Sequence, residues 1–158
     1  MAAPTPTART TPGGLALEDG YRTVVTIAQD VDISIWEVSV TPPSVEGGDG
    51  IDQTTMHNNR WRVALPKNLE TLGDCTFNGA YDPDLYNQAI SAINVNTTIT
   101  ITFPDGSTLA FYGFLKTFAP DAVVEGTQPR ATFTIQASNW DPANDVEAGP
   151  VLTSVSGT

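Results

Sequence analysis

The chain has 158 residues, 40% hydrophobic and 16% charged, with 7 basic against 18 acidic side chains and a net charge of −11. That length suits one domain with a single core, and the acidic balance excludes a protein that binds nucleic acid by neutralising phosphates. A lone cysteine, Cys75, excludes an intrachain disulfide and a cysteine-based zinc site.

Residues 1–14 contain no apolar segment of the kind a signal peptide needs. No apolar run approaches the ~20 residues of a membrane-spanning helix, so no membrane partner is expected. Charge is scarce for a small monomer, and the lysines are only Lys67 and Lys116. A surface so poor in charge suggests cover by other copies of the chain.

Residues 1–20 are rich in Pro, Thr, Ala and Gly without periodicity and predict an extended or disordered N-terminal arm. The main domain is expected over 21–140. Tyr21 to Ala28 is β-branched and predicts a strand. Ile33 to Val40 predicts a second, with a β-bulge near Ile35–Trp36 where the apolar phase switches. Pro42-Pro43 then stops it.

A long loop is expected over 45–59. It opens on Gly47-Gly48-Asp49-Gly50 and runs through Ile51, Asp52, Thr54, Thr55 and Met56 to Arg60. Loops of this length usually bind something or meet a partner, and this one reads as an arm reaching a neighbouring subunit. A strand from Arg60 to Leu65 follows, with Trp61, Val63 and Leu65 on one face, and then another from Leu72 to Tyr81.

Asp82 to Ile93 is the helix candidate. Asp82 suits the cap, Pro83 the first helical position and Asp84 the first turn. Tyr86, Ala89, Ile90 and Ile93 share its apolar face. Thr97 to Phe103 alternates cleanly, with Ile99, Ile101 and Phe103 on one side and Thr98, Thr100 and Thr102 on the other. Pro104-Asp105-Gly106-Ser107 predicts a hairpin turn. The return strand, Thr108 to Phe118, is apolar on both faces and is expected to be central or covered. After a loop, Arg130 to Ala137 alternates again: Ala131, Phe133 and Ile135 inward, Thr132, Thr134 and Gln136 outward. Residues 141–158 read as a polar C-terminal tail. About seven strands and one helix predict a mainly β fold, a sandwich or barrel of antiparallel sheets with one flanking α-helix.

The run Gly47-Gly48-Asp49-Gly50-Ile51-Asp52-Gln53-Thr54-Thr55-Met56, with Arg60 and the strand ending Leu65-Pro66, resembles the major tail tube proteins of long, non-contractile-tailed (siphovirus-type) phages. Leu72 to Phe77, Tyr81-Asp82-Pro83, Phe103 to Gly106 and Phe111 to Leu115 continue the resemblance, which covers roughly Tyr21 to Asn139. The pattern departs at Pro66-Lys67, where a glycine would follow the proline. The resemblance implies two packed sheets whose inner strands join neighbours around a lumen. It also implies hexameric rings stacked into a virion tail tube assembled in the host cytoplasm. Tape-measure, tail-terminator and tail-tip proteins are the implied partners, and DNA would transit the lumen without specific binding. The polar faces Thr98/Thr100/Thr102 and Thr132/Thr134, with Asp74 beside Thr76 and Asn78, are the candidates for the lumen wall.

Catalytic readings are weaker. His57 sits near Asp49, Asp52, Thr54 and Thr55, but a triad needs a rigid scaffold and this run is loop. The acidic groups Asp49/Asp52, Asp82/Asp84 and Asp141/Asp145/Glu147 lack calcium-loop spacing and read as turn and cap residues. Arg60 and Arg62 make a poor nucleic-acid patch and are expected to pair with acidic groups. No phosphate loop or nucleophile elbow is present, so no enzyme activity, metal or cofactor is expected. The rival classes are a secretion-tube subunit of the Hcp type, a phage head decoration or connector protein, and a carbohydrate-binding sandwich. The last would use Trp36, Trp61 and Trp140, of which the first two read as core.

Overall fold

The computed structural model describes residues 23–28, 33, 35–104 and 106–154; the expected N-terminal arm lies outside them. The fold is mainly β with antiparallel sheets and one helix, as the pattern predicts. Its frame is a seven-stranded sheet of β1 (Val24–Ile27), β2 (Glu37–Thr41), β7 (Cys75–Ala80), β8 (Thr97–Thr102), β9 (Thr108–Pro120), β10 (Arg130–Ala137) and β13 (Val151–Thr153). The order is β1-β8-β9-β10-β7-β2, with β13 added to β9.

Strand β9 is the corner of this sheet. Its first half, Thr108 to Gly113, pairs with β8, and its second half, Gly113 to Pro120, pairs with β10. At the handover a Cβ on Gly113 would lie 2.6 Å from the Gln136 carbonyl oxygen, so only glycine fits there. The folded sheet brings β1 back to β2, where the Val25 N–H donates to Glu37 Oε1 at 2.7 Å.

Alternation supplies the core. Val25, Ile27, Ile99, Ile101, Ala131, Phe133, Ile135, Cys75 and Phe77 are all at most 2% exposed, each from the inward set of its strand. Phe77 and Phe133 stack at 4.6 Å, and Phe118 lies 5.0 Å from Phe133. Burial pushes the Cys75 thiol up to about 11, which makes it an inert core residue.

Two bulges explain where the period-two pattern breaks. In β9 the register shifts so that Thr134 faces Thr117 and Ile135 faces Leu115. Lys116 is the extra residue, and the phase flip carries Phe118 to the core side with Phe111 and Leu115. In β2 the shift lies between Glu37 and Ser39, beyond the expected Ile35–Trp36. Ile35 therefore stays inside and Val40 packs inward again, while Trp36 points out and is 75% exposed. The expectation that Trp36 is core is corrected on that geometry.

Helix α1 (Pro83–Ala92) lies against β9. Asp82 caps it, its carboxylate accepting the Asp84 N–H at 3.1 Å. The buried stripe is Leu85, Ala89 and Ala92. Tyr86 and Ile90, expected on the packed face, are exposed, because α1 turns the Leu85–Ala89–Ala92 stripe towards the sheet. The chain leaves the helix through Asn94 at φ 61, whose N–H donates to the Leu115 carbonyl.

The expected polar tail is structured over its described length. Strands β11 (Trp140–Asp141) and β12 (Val146–Glu147) form a hairpin. Asp141, nearly buried, organises its turn by accepting from the Ala143 N–H at 2.9 Å and Asn144 Nδ2 at 2.7 Å. These bonds, the Asn144 side chain first, hold its carboxyl below the usual range. The sequence 151–153 then pairs with 108–110 on the free edge of β9.

Candidate functional site

Residues 45–72 form a long two-stranded hairpin that leaves the domain between β2 and β7. Its ladder has two rungs: β3 (Val45–Glu46) with β6 (Thr71–Leu72), and β4 (Ile51–Asp52) with β5 (Ala64–Leu65). Gly47–Gly50 and Pro66–Glu70 interrupt the pairing between them. Gly48 takes φ 73, a conformation that favours glycine, and Pro66 has no N–H to contribute. The segment expected as an aperiodic loop is thus the outgoing branch of the hairpin. The expected strand Arg60–Leu65 shrinks to Ala64–Leu65, because Asn58 to Val63 build the tip.

Side chains hold that tip together. Asp52 accepts the Thr54 N–H at 2.9 Å, and Thr54 Oγ1 accepts the Val63 N–H at 2.9 Å. Asn58 Oδ1 accepts the Thr55 N–H at 2.8 Å, while its Nδ2 donates to the Trp61 carbonyl at 3.2 Å. The hydrogen bonds from Thr54 hold the Asp52 carboxyl below its usual range. Arg62 lies 3.6 Å from Asp52 in an exposed ion pair, and Arg60 stands over the Trp61 ring at 4.9 Å. His57 is exposed at the same tip, its backbone N–H bonded to Thr55 Oγ1.

From Ser44 to Thr71 only Thr54 and Asn58 are even partly covered. Val45, Ile51, Met56, Trp61, Val63, Leu65 and Leu69 are all exposed, Trp61 at 72% and Met56 completely. The core expectation for Trp61 is corrected with that for Trp36: the strand carrying it packs on nothing of its own chain. Gly47, Gly48, Asp49, Ile51, Asp52, Thr54, Thr55, Met56 and Arg60 all fall on the arm. The returning apolar residues from Trp61 to Leu69 were missed as part of it. Their signal was the cationic run Arg60, Arg62 and Lys67, unusual in so acidic a chain.

The threonine faces lie on the outer sides of two halves of the sheet. Thr98, Thr100 and Thr102 belong to the β1–β8–β9 half. Thr132 and Thr134 belong to the β9–β10–β7–β2 half, where register builds a hydroxyl row across four strands: Thr41, Thr76, Thr134 and Thr117. Asp74 lies just before β7 and is exposed, with its carboxylate 3.4 Å from Lys116 Nζ. Its charge is thus shared with the cation that the β9 bulge projects.

Among the described residues no three His, Cys, Asp or Glu side chains converge as a metal site. The acidic groups have local roles instead: Asp52 and Asp141 in turns, Asp82 as a cap. Trp140 is also exposed, so all three tryptophans lie at the surface: one just before β2, one at the hairpin tip and one in β11.

No protein-family model and no curated protein sequence matches the chain. Its fold is similar to that of a chain in the cryo-EM structure of the anti-feeding prophage baseplate, 6-fold symmetrised, with a TM-score of 0.61 at 10% identity. The match covers 87% of this chain and 96% of that one, so the likeness extends over essentially the whole of both and establishes a shared fold.

Proposed function

We propose that this protein is a structural subunit of a phage-type tail, and specifically a tube subunit that self-assembles into stacked rings around a DNA channel. The hairpin arm carries the reading. A two-stranded hairpin alone is marginally stable in water, and a row of exposed large apolar side chains marks a contact surface. An arm so built is stable once a neighbouring subunit covers it. The neighbour in fold comes from a six-fold symmetrised baseplate, which supports a ring and a place in a tail. Tape-measure, terminator and tail-tip proteins would then be its further partners.

The four-strand hydroxyl row is the better lumen wall of the two threonine faces, because it is the broader and its four paired positions are neutral hydroxyls. Hydroxyls do not hold a polyanion's phosphates as cations do, and Lys116 at its border is paired with Asp74. A second reading, a ring confined to the baseplate end of the tube, is favoured by the same neighbour. Negative-stain electron microscopy of the purified protein, alone and with tail-tip extract, tests both. Open-ended tubes support the tube subunit, rings of fixed length support the baseplate ring, and a strict monomer in both conditions refutes assembly. Thr134→Lys should leave tubes intact and impair DNA ejection, whereas Thr100→Lys, on the other half of the sheet, should impair it less. Normal ejection from Thr134→Lys tubes would place that face outside the channel.

A further inference from the structure

We infer that the hairpin arm is jointed: its distal half, residues 50–65, is a preformed block that swings about a hinge made by 47–49 and 66–70. The joint belongs to the free chain and goes beyond its reading as an assembling subunit. The arm is not one ladder. Val45 and Glu46 face Leu72 and Thr71, and Ile51 and Asp52 face Leu65 and Ala64. No backbone hydrogen bond joins 47–50 to 66–70. Both branches therefore lose their pairing at the same height.

The break is written into the register. Between the two rungs the outgoing branch takes five steps, 46 to 51, and the returning branch six, 71 to 65. One residue too many on one side stops the pairing from running straight through. In β9 a single extra residue is absorbed, because the ladder to β10 resumes at once on both sides of Lys116. Here no layer behind the ribbon holds it in line, since 45–53 and 60–70 are exposed throughout. A Cβ on Gly47 would meet nothing within 4 Å, and one on Gly48 would meet only the flexible Lys67 side chain, at 3.6 Å.

On either side of the joint the chain is tied. The root is held by the Gly73 N–H bonded to the Ser44 carbonyl at 2.7 Å and by Leu72, packed against the core. The distal block is crossed by the Gln53 N–H bonded to the Val63 carbonyl at 2.8 Å. Beyond it the Asp52, Thr54 and Asn58 side chains close the tip. Gly50 belongs to the block, where a Cβ would stand 3.2 Å from both the Ala64 Cβ and the Leu65 carbonyl oxygen. Turning at the joint breaks none of these bonds. A block mounted in this way meets a neighbour over a range of angles, and burial of Ile51, Trp61 and Leu65 then selects one of them.

Spin labels on the dilute free chain test the joint. Cys75 is fully buried and stays unlabelled. With one label at Asn87→Cys on α1, a second at Glu46→Cys in the root should give a single narrow distance distribution by double electron–electron resonance. A second at Met56→Cys in the tip should give a clearly broader one. The Gln53 and Val63 amides should meanwhile exchange about tenfold or more slower, against their intrinsic rates, than those of Gly47 and Gly48. Deleting Asn68 equalises the two branches, and Gly47→Thr, Gly48→Thr and Pro66→Thr supply residues that pair. That combined variant should narrow the tip distribution towards that of the root. A wild-type tip distribution as narrow as the root's would overturn the inference, because the arm would then be rigid. Equal exchange at tip and hinge amides would overturn it too, because the arm would then be a flexible loop without a preformed block. So would a tip distribution that stays broad in the combined variant, which would place the motion outside 47–49 and 66–70. None of these results depends on assembly, so the tail-subunit reading is decided apart from them, by electron microscopy.

Discussion

Replacing Trp61 by alanine separates the stability of the domain from the stability of an assembly. An aromatic side chain of this size carries about 150–250 Å² of accessible surface. Trp61 is 72% exposed, so its own chain covers only about 40–70 Å². At about 25 cal/mol per Å² the domain gains only about 1–1.75 kcal/mol from it. The remaining 110–180 Å² or so is worth up to about 3–4.5 kcal/mol to a partner that buries it. Trp61→Ala should therefore lower unfolding stability by less than about 2 kcal/mol and weaken subunit association by about 100- to 1000-fold. Urea unfolding followed by circular dichroism measures the first quantity, avoiding the lost indole fluorescence. Sedimentation velocity over a concentration series measures the second. A loss of several kcal/mol in unfolding would mean that Trp61 packs on its own domain in solution. Unchanged assembly would mean that the arm tip meets no partner, and the argument from exposure would fail.

Phe133→Ala should do the reverse, costing about 3–5 kcal/mol in urea unfolding, because its ring is buried between Phe77 and Phe118. Gly113→Ala should cost about 1–3 kcal/mol, read the same way, since its Cβ meets the backbone of β10 rather than a movable side chain. Acid should loosen the β11–β12 hairpin. The Asp141 carboxyl is lowered in the folded chain, so the unfolded state binds the proton more readily. Its contribution is complete above the ordinary carboxyl value of about 3.9 and is lost as pH falls through the lower folded value. Hydrogen exchange at the Ala143 and Asn144 amides as a function of pH should show this, and Asp141→Asn should abolish that pH dependence.

Much of this protein is written in local pattern. Strands β8 and β10 follow from strict alternation around Ile99, Ile101, Phe133 and Ile135, because a half-buried strand must put every second side chain inside. Asp82-Pro83 set the start of α1, where a carboxylate caps and a proline loses no hydrogen bond. The arm was visible as an anomaly, a glycine-opened polar run too long for a turn. What tertiary structure decided was exposure. Trp36 and Trp61 sit in apolar alternation that predicts burial, but a bulge after Glu37 turns the first outward, and the second belongs to a ladder with no layer behind it. Tyr86 and Ile90 fit an apolar helical stripe as well as Leu85 and Ala92 do, and only the way α1 docks on β9 put the Leu85–Ala89–Ala92 stripe inside. The chain beyond Trp140 reads as a polar tail because three-residue β13 has no periodicity of its own. It forms because β8 covers one edge of β9 and leaves the other open, a fact of sheet order that no stretch of sequence carries.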